Sequence, residues 1–198
     1  MKTIYQINNF YEAPERVREF ALKQQFFFQN RSPFPGSQTE HSFYSEDVIK
    51  KIESTIGVKI AVNPMENVFG RFRLSLGGDE GTTKVHFDRG QWAMVIYLSN
   101  PTEETPGTAF YRFKKNGISD PNQFIEQGIY SLKTDIVKHV IGPFTKSLDR
   151  WEIIWDNLFL FNTAIIFRGD RTFHAAGPSF GNSKSTGRLT HQFFFNEK

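Results

Sequence analysis

Three residues in two separate stretches of the chain could together bind one metal ion. One residue separates His86 from Asp88, and if residues 84–88 form a strand, both side chains point to the same face. Two residues span roughly 6.5 Å of strand, so both side chains could reach one ion at bond lengths of about 2 Å. His174 is the best candidate for a second imidazole. Two histidines and one carboxylate leave open coordination positions on non-haem Fe(II), which indicates a metal-dependent oxygenase.

The last apolar stretch, residues 188–195, predicts a strand with one polar and one aromatic face. Arg188, Thr190 and Gln192 share the polar face, and His191 lies among phenylalanines on the other. An inward-facing guanidinium beside a hydroxyl suits a carboxylate, so this face predicts an anion-binding position next to the metal. The alternative is that the polar face is solvated and that the phenylalanine face alone is core.

Two helices and a series of strands are predicted to position these residues. One helix covers residues 13–22, with Pro14 in its first turn, and a second follows Ser45 and ends at Gly57. From about residue 67, an alternation with period two replaces the helical period, in short stretches separated by Gly and Asn turns. Closely spaced strands of this kind predict an antiparallel sandwich or barrel.

An insertion over about residues 113–157 interrupts the strand pattern. Asp120 before Pro121 predicts the start of a helix, and the spacing of Trp151 and Trp155 predicts that both lie on one helix face. Such an insertion could act as a lid or recognition surface, or could cover an exposed face of the sheet.

The order of these motifs resembles the Fe(II)- and 2-oxoglutarate-dependent oxygenases of the double-stranded β-helix fold, and specifically their prolyl 4-hydroxylase-like branch. Residues 96–100 (IYLSN) and 107–110 (GTAF) are similar to the YLN…GGxxxF segment of that branch. Residues 174–178 (HAAGP) and 187–190 (GRLT) are similar to its H…P…GxRxS ending. The resemblance covers roughly residues 68–195.

The resemblance implies a mainly β, α+β chain that forms one oxygenase-like domain over residues 1–198. Residues 1–66 would be N-terminal helical support, and residues 67–195 would be a jelly-roll (double-stranded β-helix) core with the helical insertion. It also implies that His86, Asp88 and His174 hold Fe(II), that Arg188 pairs with the distal carboxylate of 2-oxoglutarate, and that Thr190 supplies an assisting hydroxyl.

The implied reaction uses O₂ to hydroxylate an unactivated C–H bond and releases succinate and CO₂. The substrate is an unknown small molecule or protein side chain, and the sequence leaves the oligomeric state open. Two alternatives remain at this stage. One is a cupin-like metalloprotein that does not use 2-oxoglutarate, and the other is a non-catalytic jelly-roll binding module.

Composition excludes several other classes of protein. The chain has 24 basic and 21 acidic residues and a net charge of +3, which does not favour a nucleic-acid partner. It has no cysteine, which rules out disulfides, cysteine-ligated zinc and a thiol nucleophile. No apolar stretch is long enough for a membrane span or a signal peptide, so the sequence predicts a soluble, cytoplasmic protein without a membrane partner.

Overall fold

The computed structural model describes residues 2–28, 32–65, 68–101 and 103–198, and within them the chain folds into two antiparallel β-sheets with a few helices. The strands are β1 (Ile4–Ile7), β2 (Phe26–Phe28), β3 (Ser37–Thr39), β4 (Ile60–Ala61), β5 (Phe69–Ser75), β6 (Trp92–Tyr97), β7 (Pro106–Phe113), β8 (Trp151–Leu158), β9 (Ala164–Arg168), β10 (Phe173–Ala176) and β11 (Arg188–Glu197). The helices are α1 (Pro14–Lys23), α2 (Glu46–Ile56), α3 (Asn122–Glu126), α4 (Lys133–Ile136) and α5 (Gly142–Phe144), and a π-helical turn (Val137–Ile141) joins α4 to α5.

The two sheets form a jelly-roll-like sandwich, which confirms the predicted fold class. The larger sheet has the strand order β1-β9-β6-β11-β5-β3-β2, with β4 paired to the end of β11, and the smaller has the order β10-β7-β8. The N-terminal segment therefore contributes strands to the larger sheet as well as two helices. A short segment between α1 and α2 also joins this sheet, because Ser37–Thr39 pairs with β5.

The outer face of the larger sheet packs against α1 and α2. Ser45 caps α2 by accepting a hydrogen bond from the Val48 N–H at 3.4 Å, and Gly57 ends the helix with a φ of 78°, as predicted. Ile52 and Ile56 of this helix are buried in the same cluster as Phe72. The apolar stripe of α2 therefore covers the side of the sheet that faces away from His86, Asp88 and His174.

The insertion covers the outer face of the smaller sheet. Ile136 and Val140 pack in one buried cluster with Phe173 of β10 and Trp151 of β8. This corresponds to the second of the two predicted roles, a cover over a sheet face. The prediction of a helix carrying Trp151 and Trp155 is wrong, because both residues lie in β8, which pairs with β7.

The segment that carries His86 and Asp88 is extended, but it forms a single bridge rather than the predicted continuous strand. His86 pairs with His174 of β10, and the flanking residues bond to other parts of the chain: Val85 N–H to the Thr145 carbonyl and Asp88 N–H to the Gly169 carbonyl. The segment thus lies at the edge of the smaller sheet and faces the interior of the sandwich. Among the residues described, no helix combines the length and apolar character that crossing a membrane requires.

Candidate metal centre

Backbone pairing brings the two predicted histidines side by side. The His86 N–H donates to the His174 carbonyl at 3.0 Å, and the His174 N–H donates to the His86 carbonyl at 2.8 Å. The ring centroids lie 4.4 Å apart. Asp88 follows two residues later, where its N–H donates to the Gly169 carbonyl at 2.9 Å. Two histidines that are far apart in the sequence therefore meet, together with Asp88, at one edge of the smaller sheet.

The side chains of these three residues converge on one point. The His86 Nε2 lies 3.7 Å from Asp88 Oδ1, and the His174 Nε2 lies 3.5 Å from Asp88 Oδ2. One donor atom from each residue lies within 4.8 Å of the others. The Oδ2 atom of Asp88 is buried and has no hydrogen-bond partner within the described part of the chain. A buried carboxylate that faces two imidazole nitrogens and has one unpartnered oxygen fits a site for a divalent cation.

The Nδ1 atoms of both imidazoles, which lie away from Asp88, each contact a backbone carbonyl. His86 Nδ1 lies 2.9 Å from the Lys84 carbonyl, and His174 Nδ1 lies 3.1 Å from the Thr172 carbonyl. A carbonyl can only accept a hydrogen bond, so each Nδ1 carries the proton, and in the neutral ring Nε2 has a free lone pair. This is the arrangement in which protein histidines bind metals.

Burial shifts the pKa of His174 and of Asp88. It lowers the pKa of His174 well below its usual value, and the nearby His86 lowers it further, so His174 is neutral at pH 7. Burial also raises the pKa of Asp88, against an opposing effect of His86. A bound cation would offset the desolvation of the carboxylate, and neutral histidines are the form that ligates a metal.

A cavity of about 300 Å³ lies between the two sheets and opens onto this centre. The larger sheet contributes the side chains of Arg73, Ser75, Val95, Phe167, Arg188, Gln192 and Phe194. The opposite side contributes His86, Asp88, Thr108, His174 and Ala176. The polar face predicted for the last strand is thus the face that lines the cavity. His191 lies on the opposite face, where its ring stacks on Phe72 with centroids 4.0 Å apart.

Arg188 lies in this cavity and is 5% exposed. Its guanidinium carbon is 5.0 Å from the centroid of the Phe159 ring, and its Nε is buried without a hydrogen-bond partner among the described residues. Burial lowers the pKa of Arg188, and the nearby Tyr97 opposes that effect. A buried guanidinium with an unpaired donor fits the binding of an anion from solution.

Thr190 and Thr108 differ in how their hydroxyls lie relative to the cavity. Thr190 is fully buried, and its hydroxyl donates to the Arg73 carbonyl at 3.5 Å. The Thr108 side chain lines the cavity, and its hydroxyl lies 2.8 Å from the Tyr97 hydroxyl. Thr108 is therefore a cavity hydroxyl that was not predicted as a site residue.

Phe34 and Arg73 also line the cavity. The Phe34 ring lies 4.8 Å from the His86 ring, and Arg73 donates from Nη1 to the Pro35 carbonyl at 2.7 Å. The alternation of polar and apolar residues over 71–76 separates Arg73 from the apolar face of β5, and this pattern is the sequence signal for an inward-facing Arg73. The sequence carries no comparable signal for Phe34, which reaches the site from a loop between β2 and β3.

A solved structure described as a prolyl-4-hydroxylase from Pseudomonas putida is similar to this chain, with a TM-score of 0.50 and 11% sequence identity. The match covers 99% of this chain and 93% of that chain. At this identity the likeness concerns the fold, and it agrees with the jelly-roll architecture. No curated protein matches the sequence.

The profile of a family of unknown function, DUF6445, matches residues 1–195, which is nearly the whole chain. This protein therefore belongs to the DUF6445 family.

Proposed function

We propose that this protein is an Fe(II)- and 2-oxoglutarate-dependent oxygenase that hydroxylates an unactivated C–H bond. One observation carries the proposal: a single cavity holds two Nδ1-anchored histidines, a carboxylate with an unpartnered oxygen, and the unpaired guanidinium of Arg188. The likeness in fold to a prolyl-4-hydroxylase supports it.

His86, Asp88 and His174 would hold Fe(II), and Arg188 would bind the distal carboxylate of 2-oxoglutarate. When bound, iron and 2-oxoglutarate supply the oxidation of a C–H bond by O₂, with release of succinate and CO₂.

The residues of the chain prepare the site for these groups. The Lys84 and Thr172 carbonyls orient the imidazoles, so that both Nε2 atoms face Asp88. The Phe159 ring lies against the guanidinium of Arg188 and fixes its position. Thr108 offers a hydroxyl to the same anion, and Thr190 keeps the adjacent strands in register through the Arg73 carbonyl.

The apolar side of the cavity would keep water from the reacting centre. The Phe167 ring lies 4.6 Å from the His174 ring, and the Phe34 ring lies 4.8 Å from the His86 ring. Aromatic rings on two sides of the donor set would limit access of water, which favours oxidation of the substrate over unproductive side reactions.

The test is anaerobic calorimetry of metal and 2-oxoglutarate binding. We expect Asp88→Ala to lose Fe(II) binding, and Arg188→Gln to retain Fe(II) but bind 2-oxoglutarate at least about tenfold more weakly, because it lacks a charge-assisted hydrogen bond. The exposed Arg112, which pairs with Glu152 away from the cavity, gives the matched control Arg112→Gln with wild-type binding. Normal 2-oxoglutarate binding and succinate release by Asp88→Ala would contradict the assignment. Metal binding without 2-oxoglutarate binding in the wild type would favour a metalloprotein of the cupin type.

A further inference from the structure

The cavity contains more positive charge than the proposed reaction components would neutralise. Among its described side chains, Arg73 and Arg188 carry two positive charges, and Asp88 carries one negative charge. A divalent metal and doubly charged 2-oxoglutarate would cancel each other, and the histidines bind metals in their neutral form. One positive charge then remains. Since the proposed cosubstrate accounts for Arg188, the remaining charge belongs to Arg73.

Arg73 is buried without an acidic partner. It is 9% exposed, and its hydrogen bonds within the described chain run from Nη1 to the carbonyls of Pro35, at 2.7 Å, and Phe34, at 3.5 Å. No carboxylate among the described residues forms an ion pair with it. Burial lowers the pKa of Arg73 to about 10, and the positive charge of Arg188 contributes, but the group still carries its charge at pH 7. A buried charge of this kind is stabilised by an anionic partner.

The register of the sheet separates Arg73 from the position assigned to the cosubstrate. In the pairing of β5 with β11, Arg188 lies opposite Ser75 and Thr190 lies opposite Arg73. Arg73 is therefore displaced from Arg188 by two residues along the inner face, or roughly 6.5 Å. The displacement runs toward Gln192, which accepts a hydrogen bond from the Gln38 side chain at 3.2 Å.

Beyond Arg73 the cavity wall is apolar. Val68, Val95, Phe167 and Phe194 line this part of the cavity. A guanidinium next to an aliphatic and aromatic wall suits a ligand with a carboxylate at one end and a hydrocarbon body. With a volume of about 300 Å³ for the whole cavity, there is room for a small organic acid rather than for a bulky one.

We infer that the substrate is a small carboxylic acid with an apolar body, and that Arg73 binds its carboxylate. This inference rests on the proposed function, because it assigns Arg188 to 2-oxoglutarate and the donor set to the metal. It makes Arg73 a substrate-binding residue, distinct from the residues that hold the cosubstrate.

The experiment uses the full chain loaded with Mn(II) and saturated with 2-oxoglutarate, so that ligands bind without turnover. Calorimetry then measures the binding of straight-chain acids of four to eight carbons and of phenylacetate, each compared with its neutral amide. We expect at least one acid to bind, and its amide to bind at least about tenfold more weakly. This comparison needs no variant, so it remains decisive if a substitution at Arg73 disturbs folding.

Variants then test whether Arg73 is the residue that binds the carboxylate of the acid. Arg73→Gln should weaken binding of the acid about tenfold to a hundredfold and change 2-oxoglutarate affinity less than about threefold, whereas Arg73→Lys should restore part of the loss. Arg112→Gln is the matched control, since Arg112 is exposed and pairs with Glu152 away from the cavity, and it should bind the acid normally.

Three outcomes would overturn the inference: no acid binds the loaded wild type, Arg73→Gln binds the acid normally, or Arg73→Gln loses 2-oxoglutarate instead of the acid. Failure of the wild type to bind Mn(II) and 2-oxoglutarate at all would instead reject the proposed function, so the two failures can be distinguished.

Discussion

At the scale of single residues, the position of Asp88 depends on the absence of a side chain at Gly169. A Cβ at Gly169 would overlap Asp88 Oδ2 and lie 2.9 Å from both Cβ and Cγ of that residue. Gly169→Ala should therefore displace the carboxylate from the imidazoles. We expect metal affinity to fall about tenfold to a hundredfold, which is the range found when groups that orient metal ligands are removed. We also expect the free energy of unfolding to fall by roughly 1–3 kcal/mol, because the added methyl group does not fit. Calorimetry with Mn(II) and urea denaturation would measure the two effects.

Gly90 provides the matched control for this substitution. It lies two residues beyond Asp88, and the nearest atom to a Cβ at this position would be Asn196 Oδ1, at the ordinary contact distance of 3.7 Å. Gly90→Ala should bind Mn(II) like the wild type. Equal Mn(II) affinity in Gly169→Ala and Gly90→Ala would show that the glycine does not set the position of the carboxylate.

At the scale of elements, the insertion does more than cover the smaller sheet, because Thr145 fixes the segment that carries His86. The Thr145 hydroxyl accepts from the Lys84 N–H and donates to the Val85 carbonyl, both at 2.8 Å, and its own carbonyl accepts from the Val85 N–H at 3.0 Å. Thr145→Val keeps the shape and removes the hydroxyl, which leaves two backbone groups of the His86 segment without partners. We expect a loss of about 1–3 kcal/mol in stability and weaker Mn(II) binding, measured by urea denaturation and calorimetry.

Thr145→Ser distinguishes the effect of the hydroxyl from that of the methyl group, because it removes the methyl group but keeps the two hydrogen bonds. It should retain Mn(II) affinity close to that of the wild type, while Thr145→Val loses it. If both variants bind Mn(II) equally well, the insertion acts only as a cover for the sheet.

Among the elements of the fold, some features could be predicted from the sequence and others could not. Alternation correctly assigned the two faces of β11, because period two is decisive where one face is core and the other is polar. The spacing of Trp151 and Trp155 was ambiguous, since residues four apart share a face in a helix and also in a strand. The role of Thr145 depends on a tertiary contact across 60 positions, for which local patterns carry no signal.

At the scale of the whole molecule, a buried histidine away from the cavity makes stability depend on pH. His191 lies between the larger sheet and the N-terminal segment, with its Nδ1 2.7 Å from the Tyr11 hydroxyl. It is 3% exposed, and burial lowers its pKa from 6.5 to about 4. In the unfolded chain the same imidazole takes up a proton near pH 6.5. Between these two values the unfolded state binds a proton that the native state does not.

The free energy of unfolding should therefore fall as the pH is lowered from about 6.5 to about 4. The slope is about 1.4 kcal/mol per pH unit for each such histidine, which gives a total loss of roughly 3 kcal/mol for His191. In metal-free protein, His174 adds to the slope, because burial lowers its pKa as well. His191→Gln keeps a polar group beside Tyr11 but cannot titrate, so its slope over this range should be smaller by about one proton. Urea denaturation at several pH values in a chelating buffer would measure both slopes, and above pH 7 the two curves should run parallel. An unchanged slope below pH 6.5 would mean that His191 is already protonated in the native fold.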